Sequence, residues 1–253
     1  GFGFFVLDTR SRRSAREGVD LDELSDSSLL DNMGDGHRQL RELEAWLLEQ
    51  KVSHKDKPKF IASPSMPLPR SKRAKLRTES ALHSDGWEGY PATLHRILGF
   101  ITHHEINNVV FLSGDEHIGS VADISISLKT PSDETVSEKS VVAYSIHTAG
   151  LYTPFAFANG SAKKFLQKDK FTFIPSVAIP GPEILQSETI DAGEYECEVA
   201  AQFIEGEGFT RIKLDEIDGV WRLECGFDHG DEPKSRVFQA YLGEKEHCWL
   251  EKA

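Results

Sequence analysis

The chain holds 253 residues, 39% hydrophobic and 28% charged, which suits a folded protein with a substantial core and excludes collagen-like or disordered chains. Its 29 basic against 41 acidic residues leave a net charge of -12, which argues against nucleic acid as the default partner. No apolar run approaches the roughly 20 residues of a membrane-spanning helix, and Cys197, Cys225 and Cys248 offer neither a disulfide framework nor a Cys-x-x-Cys pair.

In chain order, the sequence starts at Gly1 without methionine and enters an apolar run within three residues, so it reads as a fragment whose N-terminus lies upstream. Phe4 to Leu7, ending in Asp8, is apolar without alternation and predicts a strand covered on both faces. Residues 10–31 read as a polar loop. From Gly34 to Gln50, Leu40, Leu43, Trp46 and Leu47 recur at helical spacing, with Asp35 near the start. Lys59 to Ser63 is a short strand that runs into Pro64, Pro67 and Pro69. The basic stretch Arg70 to Arg77 reads as an exposed loop, without the interleaved aromatics of a nucleic-acid surface. Pro91 to His104 predicts a second helix, with Pro91 suited to its first turn.

Asn108 to Leu112 is the strongest strand signal and delivers Ser113-Gly114-Asp115-Glu116-His117. Val121 to Leu128 and Val141 to Thr148 alternate, which predicts half-buried strands. Strand, helix, strand, helix, strand is an α/β order with a mainly parallel sheet. From about Phe171 the runs become short and β-rich. The division is therefore an α/β part over 1–165 and a β-rich extension over 166–253 packed on it. Cys197 and Cys225 are able to pair if their strands are neighbours.

In open α/β sheets ligands gather beyond the carboxyl ends of the strands. Three such ends are visible: Asp8 with Arg10 and Arg13, then Ser63, then Asp115 with His117. A carboxylate and an imidazole two positions apart on a Gly114 turn are half of a metal site, or a turn in which Asp115 bonds local backbone. Asp8 and Arg10 are equally readable as a structural ion pair. His103, His104, His147 and the Asp228-His229 pair sit where satisfied or exposed side chains are the ordinary case. No phosphate-binding glycine loop, Gly-x-Ser-x-Gly elbow or Cys/His nucleophile pair is present.

The order of motifs carries more than any one of them. Phe4-Phe5-Val6-Leu7-Asp8-Thr9-Arg10-Ser11-Arg12-Arg13, Gln39 with Leu43 to Leu47, Asp85-Gly86-Trp87-Glu88-Gly89-Tyr90-Pro91, and Asn108 to His117 follow one another. This resembles the C-terminal half of PhoD-like alkaline phosphatases, a family of metallophosphoesterases, over residues 3–160 and more loosely to residue 242. The resemblance implies a metallophosphatase-like α/β sheet sandwiched by helices. It also implies a phosphomonoesterase or phosphodiesterase that activates water with divalent or trivalent metal ions, among iron, calcium, zinc and manganese.

By the same resemblance Asp115 and His117 are metal ligands, and Arg10 and His117 are catalytic. Arg10, Arg13, Asp85 and Trp87 bind the phosphate ester, with Trp87 as a wall of the cleft mouth. Where the family has an arginine shortly after Gly-Tyr-Pro, this chain has Leu94 and His95, with Arg96 displaced. The family's other metal carboxylates lie upstream of the Leu-Asp-x-Arg strand, so the N-terminal half of the same protein is an implied partner. The alternative is a noncatalytic binding module of this fold with a vestigial metal site, and a third reading is a nucleic-acid contact through residues 70–77.

Overall fold

The computed structural model describes residues 1–15, 20, 26–31, 38–75, 82, 84–129, 139–151, 160–175, 190, 193–229, 235–243 and 249–252. A seven-stranded sheet organises them. Its strands are β1 (Gly3–Val6), β2 (Lys59–Ala62), β3 (Val109–Ser113), β4 (Gly119–Leu128), β5 (Ser140–His147), β6 (Lys168–Phe173) and β7 (Tyr195–Ile204). The spatial order is β1-β2-β3-β5-β4-β7-β6. The first four are mutually parallel, and β4, β7 and β6 continue the sheet antiparallel.

Helices α1 (Arg38–Ser53) and α2 (Pro91–His103) make the crossovers from β1 to β2 and from β2 to β3. Their stripes, Leu40, Leu43 and Leu47 with Leu94, Ile97 and Ile101, pack on Ile61, Phe111 and Ile124 of one sheet face. The opposite face, with Phe60, Val110, Val121 and Tyr144, packs on Leu223, Cys225, Phe227 and Phe238. Those residues belong to a second, antiparallel sheet of β8 (Gly208–Ile217), β9 (Val220–His229), β10 (Arg236–Tyr241) and β11 (Leu250–Glu251). The expected sheet between two helix layers is thus corrected: helices cover one face and a second sheet covers the other. Strand outweighs helix.

Two covered faces explain where periodicity misled. In β5, Ala143 enters the helix-side core and Tyr144 the inter-sheet core, so both parities are buried instead of one. β4 behaves likewise along most of its length. β1, expected to be covered on both faces, is an edge strand among the described residues: Phe5 packs on Trp46 of α1, ring centroids 5.5 Å apart, whereas Phe4 and Val6 are 60% and 74% exposed. Beyond residue 165 the β-rich segment divides, β6 and β7 extending the main sheet and β8 to β11 forming its cover. Cys197 and Cys225 lie in different cores as buried free thiols, because β7 and β9 belong to different sheets; Cys248 falls outside the described residues.

Polar groups fix the layers where apolar packing cannot. Asp31 caps α1 by accepting the amides of Gln39 and Leu40 at 2.7 and 3.1 Å; the expected Asp35 lies outside the described residues. Glu44 of α1 and Arg96 of α2 form a buried pair at 2.6 Å. Arg96 is therefore a tie between helices. At the amino ends of the strands the Lys59 ammonium donates to the carbonyls of Lys55, Lys57 and Asn107 at 2.9, 2.9 and 3.0 Å. Burial brings its pKa down to about 8. In the second sheet Asp218 and Gly219, at φ of 52° and 81°, make the two-residue turn between β8 and β9.

Asp123 of β4 is buried, receiving the Trp249 amide while its Oδ1 lacks a hydrogen-bond partner among the described residues. Burial raises its pKa to about 7. A carboxyl raised in the folded state gives stability that is intact below its ordinary value of 3.8 and lost as pH rises through about 7. Asp123→Asn is therefore expected to stabilise the fold by roughly 2–4 kcal/mol at pH 8 and much less at pH 4, measured by urea unfolding. An equal effect at both pH values would show that this carboxyl ionises freely.

Candidate active site at the carboxyl ends of the parallel strands

Three loops meet beyond the carboxyl ends of β1 and β3, and Arg10 stands between them. Its Nη1 donates to Asp85 Oδ2 at 2.9 Å, and its Nη2 donates to both carboxylate oxygens of Asp115 at 2.8 Å. Arg13 Nη1 donates to the other Asp85 oxygen at 2.7 Å. Arg10, Arg13, Asp85 and Asp115, singled out from separate motifs, thus form one network.

The loop after β1 is shaped by Asp8. Its Oδ1 accepts the amides of Arg10 and Ser11 at 3.0 and 2.8 Å, and its Oδ2 accepts the Ser11 hydroxyl. This local turn aims the Arg10 side chain across the strand ends. Gln39 of α1 clasps the same residue, accepting the Asp8 amide at 2.8 Å and donating to its carbonyl at 3.1 Å. The Ser11 bonds and the Arg10 amide hold the Asp8 carboxyl below its ordinary range. Burial pushes the Asp85 carboxyl up, but Arg13 and Arg10 outweigh it and leave the group below its usual value. Burial likewise opposes the charge on Arg10, and Asp115 and Asp85 overcome it.

The loop after β3 rests on a histidine that periodicity treats as ordinary. β3 and β5 are in register so that Ser113 lies beside His147. His147 Nε2 accepts the Glu116 amide at 3.0 Å. Its Nδ1 therefore carries the proton and donates to Ser113 Oγ at 2.7 Å. The ring is fully buried, and burial together with the charge of His117 lowers its pKa to about 4. Asp115 and His117 are thus presented by a loop pinned from below by a neutral imidazole. His117 has φ of 51°, and its carbonyl accepts the Gly160 amide at 3.1 Å. A Cβ at position 160 would lie 2.2 Å from the Glu116 carbonyl, so this approach requires glycine. Glu116 itself is pushed up by burial, then by Asp115 and Glu88.

Trp87 is not a wall of the cleft. It is fully buried, packs edge-on against Phe111 at 6.2 Å, and donates Nε1–H to Ser63 Oγ at 3.0 Å. Ser63, at the end of β2, donates in turn to the Ser65 carbonyl at 2.6 Å. Trp87 instead supports the loop that carries Asp85, which corrects the cleft-wall role implied by the resemblance. Arg70, expected on an exposed loop, is turned inward: it stacks 3.7 Å over Phe171 and forks onto buried Asp169 at 2.7 and 3.1 Å. Residues 76–77 of that stretch lie outside the described residues.

One carboxylate and one imidazole two residues apart are donors of the right chemistry for iron, zinc or manganese. Among the described residues no three His, Cys, Asp or Glu side chains converge, and both oxygens of Asp115 are engaged by Arg10. Asp115 and His117 are thus donors of suitable chemistry, and the described residues do not form a coordination sphere around them.

A family profile for PhoD-like phosphatases matches residues 2–201. Alkaline phosphatase D of Bacillus subtilis (strain 168) is 36% identical over 50 residues, which is 20% of this chain and 9% of that protein. A solved structure described as the structure of PhoD aligns over 99% of this chain and 42% of its own, with a TM-score of 0.49 and 16% identity. The chain thus spans less than half the length of that relative.

If Trp87 is a support, Trp87→Ala destabilises the fold by about 3–5 kcal/mol in urea unfolding; a change under about 0.5 kcal/mol would return it to the surface role. His147 takes its proton in the unfolded chain near 6.5 but in the folded one only near 4. Its stabilisation is therefore intact above about 6.5 and lost as pH falls towards 4. His147→Gln is expected to lower stability at pH 7 yet flatten that acid decline. An unchanged decline would assign it to carboxylates.

Proposed function

The chain belongs to the PhoD-like phosphatase family, and on that premise we propose that it supplies one side of the active site of a metal-dependent phosphoric ester hydrolase. The observation that carries this reading is the Arg10 guanidinium bridging Asp85 and Asp115 at the carboxyl ends of the parallel strands. A guanidinium fork matches phosphate oxygens as it matches carboxylates. Arg10 and Arg13 are therefore held ready to exchange carboxylate for phosphate when an ester enters, and Asp85 keeps them oriented meanwhile.

Asp115 and His117 would hold metal, with further donors from outside the described residues. Such ions supply polarisation of the phosphoryl oxygens and a lowered pKa for an attacking water. This chain's own contribution is to orient the ester through Arg10 and Arg13 and to fix Asp115 and His117 through Ser113 and His147. Release of Asp115 from Arg10 frees a carboxylate at the moment that Arg10 takes the substrate.

A second reading is a noncatalytic module of the same fold, favoured by the engagement of both Asp115 oxygens. The two separate on one experiment: elemental analysis of the complete protein by plasma mass spectrometry, with hydrolysis of an aryl phosphate and an aryl phosphodiester in added divalent ions. The hydrolase reading expects bound metal and turnover, with Asp115→Asn and His117→Ala each lowering kcat by about 100-fold or more. Metal-free, inactive protein establishes the module, and turnover that survives both substitutions refutes the site assignment.

A further inference from the structure

Beside the Arg10 network lies a cavity of about 680 Å³, within the range of small-molecule sites. It shares its wall with the site, since Glu116 follows Asp115 and Gly86 follows Asp85. Six ionisable side chains line it, Arg70, Lys72, Arg73 and Lys164 against Glu88 and Glu116. With the Arg70 charge matched by Asp169, three cations face two carboxylates, a small local reversal in a chain of net charge -12 that favours anions.

The cations are gathered by the fold. Ser71 and Phe165 form an antiparallel bridge and the Leu166 amide donates to the Arg70 carbonyl at 3.1 Å, which sets the segment of Lys72 and Arg73 beside that of Lys164. The carboxylate of Glu88 accepts the Ser71 amide and hydroxyl at 2.7 and 2.8 Å, tying the loop of Trp87 to the same segment. Arg70 is fixed by Asp169 and Phe171 and forms a rigid wall, leaving Lys72, Arg73 and Lys164 as the reaching groups.

We propose that this cavity seats a second anionic group of the substrate, so that the preferred ester is one whose leaving group carries a phosphate of its own. The inference rests on the hydrolase reading for the scissile phosphate. Lysines suit this role as point charges for an anion whose position varies between leaving groups.

The test compares phosphate release by the complete, metal-loaded protein from 1,3-propanediol bisphosphate and from propyl phosphate. A parallel pair is adenosine 3′,5′-bisphosphate against adenosine 3′-phosphate. A higher kcat/KM for the bisphosphate of the first pair alone identifies a polyol-linked leaving group, and of the second alone a nucleoside. In Lys72→Ala/Lys164→Ala, both exposed positions, the bisphosphate preference is expected to fall about tenfold. As a readout independent of turnover, inorganic pyrophosphate titrated calorimetrically into the metal-free protein is expected to bind saturably, more weakly at high salt and in the double variant. Preference and pyrophosphate binding both unchanged in the variant would overturn the inference while leaving the hydrolase reading standing. Pyrophosphate binding that the variant loses, with no ester hydrolysed by any form, would overturn that reading and leave the cavity an anion site.

Discussion

One guanidinium joins loops that the chain separates by 75 and 105 residues. Its ion pairs are about two-fifths solvent-exposed on the arginine side, where such pairs contribute at most about 1 kcal/mol each. They therefore do not create the geometry they display. The positions of Arg10, Asp85 and Asp115 are set from beneath, by hydrogen bonds among buried and half-buried groups. The Asp8 turn clasped by Gln39 sets the first, Trp87 on Ser63 the second, and His147 under Ser113 and Glu116 the third. The exposed charges are left adjustable while their backbones are not, a division that suits a site which must exchange one anion for another.

The helix half of this fold is legible in the sequence. The 3.6-residue periodicity of Leu40, Leu43 and Leu47, and of Leu94, Ile97 and Ile101, with Pro91 at a helix start, locates α1 and α2 closely. The strand ends are legible too, because a run such as Val109 to Leu112 must stop where Ser113, Gly114 and Asp115 begin. Burial in the sheet is less so. Alternation in β4 and β5 suggests one wet face, yet Val121 and Asp123 of β4 and Tyr144 and Ile146 of β5, on the parity opposite to Ala122, Ile124 and Ala143, are buried as well. The second sheet is the reason, and nothing local announces that a later, polar-looking segment will cover that face. The Asp218-Gly219 pair between two β-rich runs is the one turn signal that would have revealed its first hairpin.

The site residues divide along the same line. Arg10, Arg13 and Asp115 follow strand ends and so can be singled out from the pattern alone, whereas Asp85, which meets them, is reached only through the resemblance in motif order. The resemblance puts Trp87 on the cleft wall, and the sequence does not display the Ser63 hydroxyl that satisfies its buried N–H. His147 was overlooked for the converse reason. Its role depends on the register that brings Ser113 beside it, a relation across 34 residues that no spacing encodes.

The buried polar groups also fix what kind of change the site tolerates. His147 can hold Ser113 and Glu116 together only as one neutral tautomer, since Nε2 must accept while Nδ1 donates. A protonated ring would present a donor to the Glu116 amide, and the loop carrying Asp115 and His117 would lose its anchor. Protonation of His147 would therefore reach this site through its foundation. Charges at the surface can be rearranged by an incoming anion, whereas the buried imidazole holds the loop that meets the anion only in one tautomer.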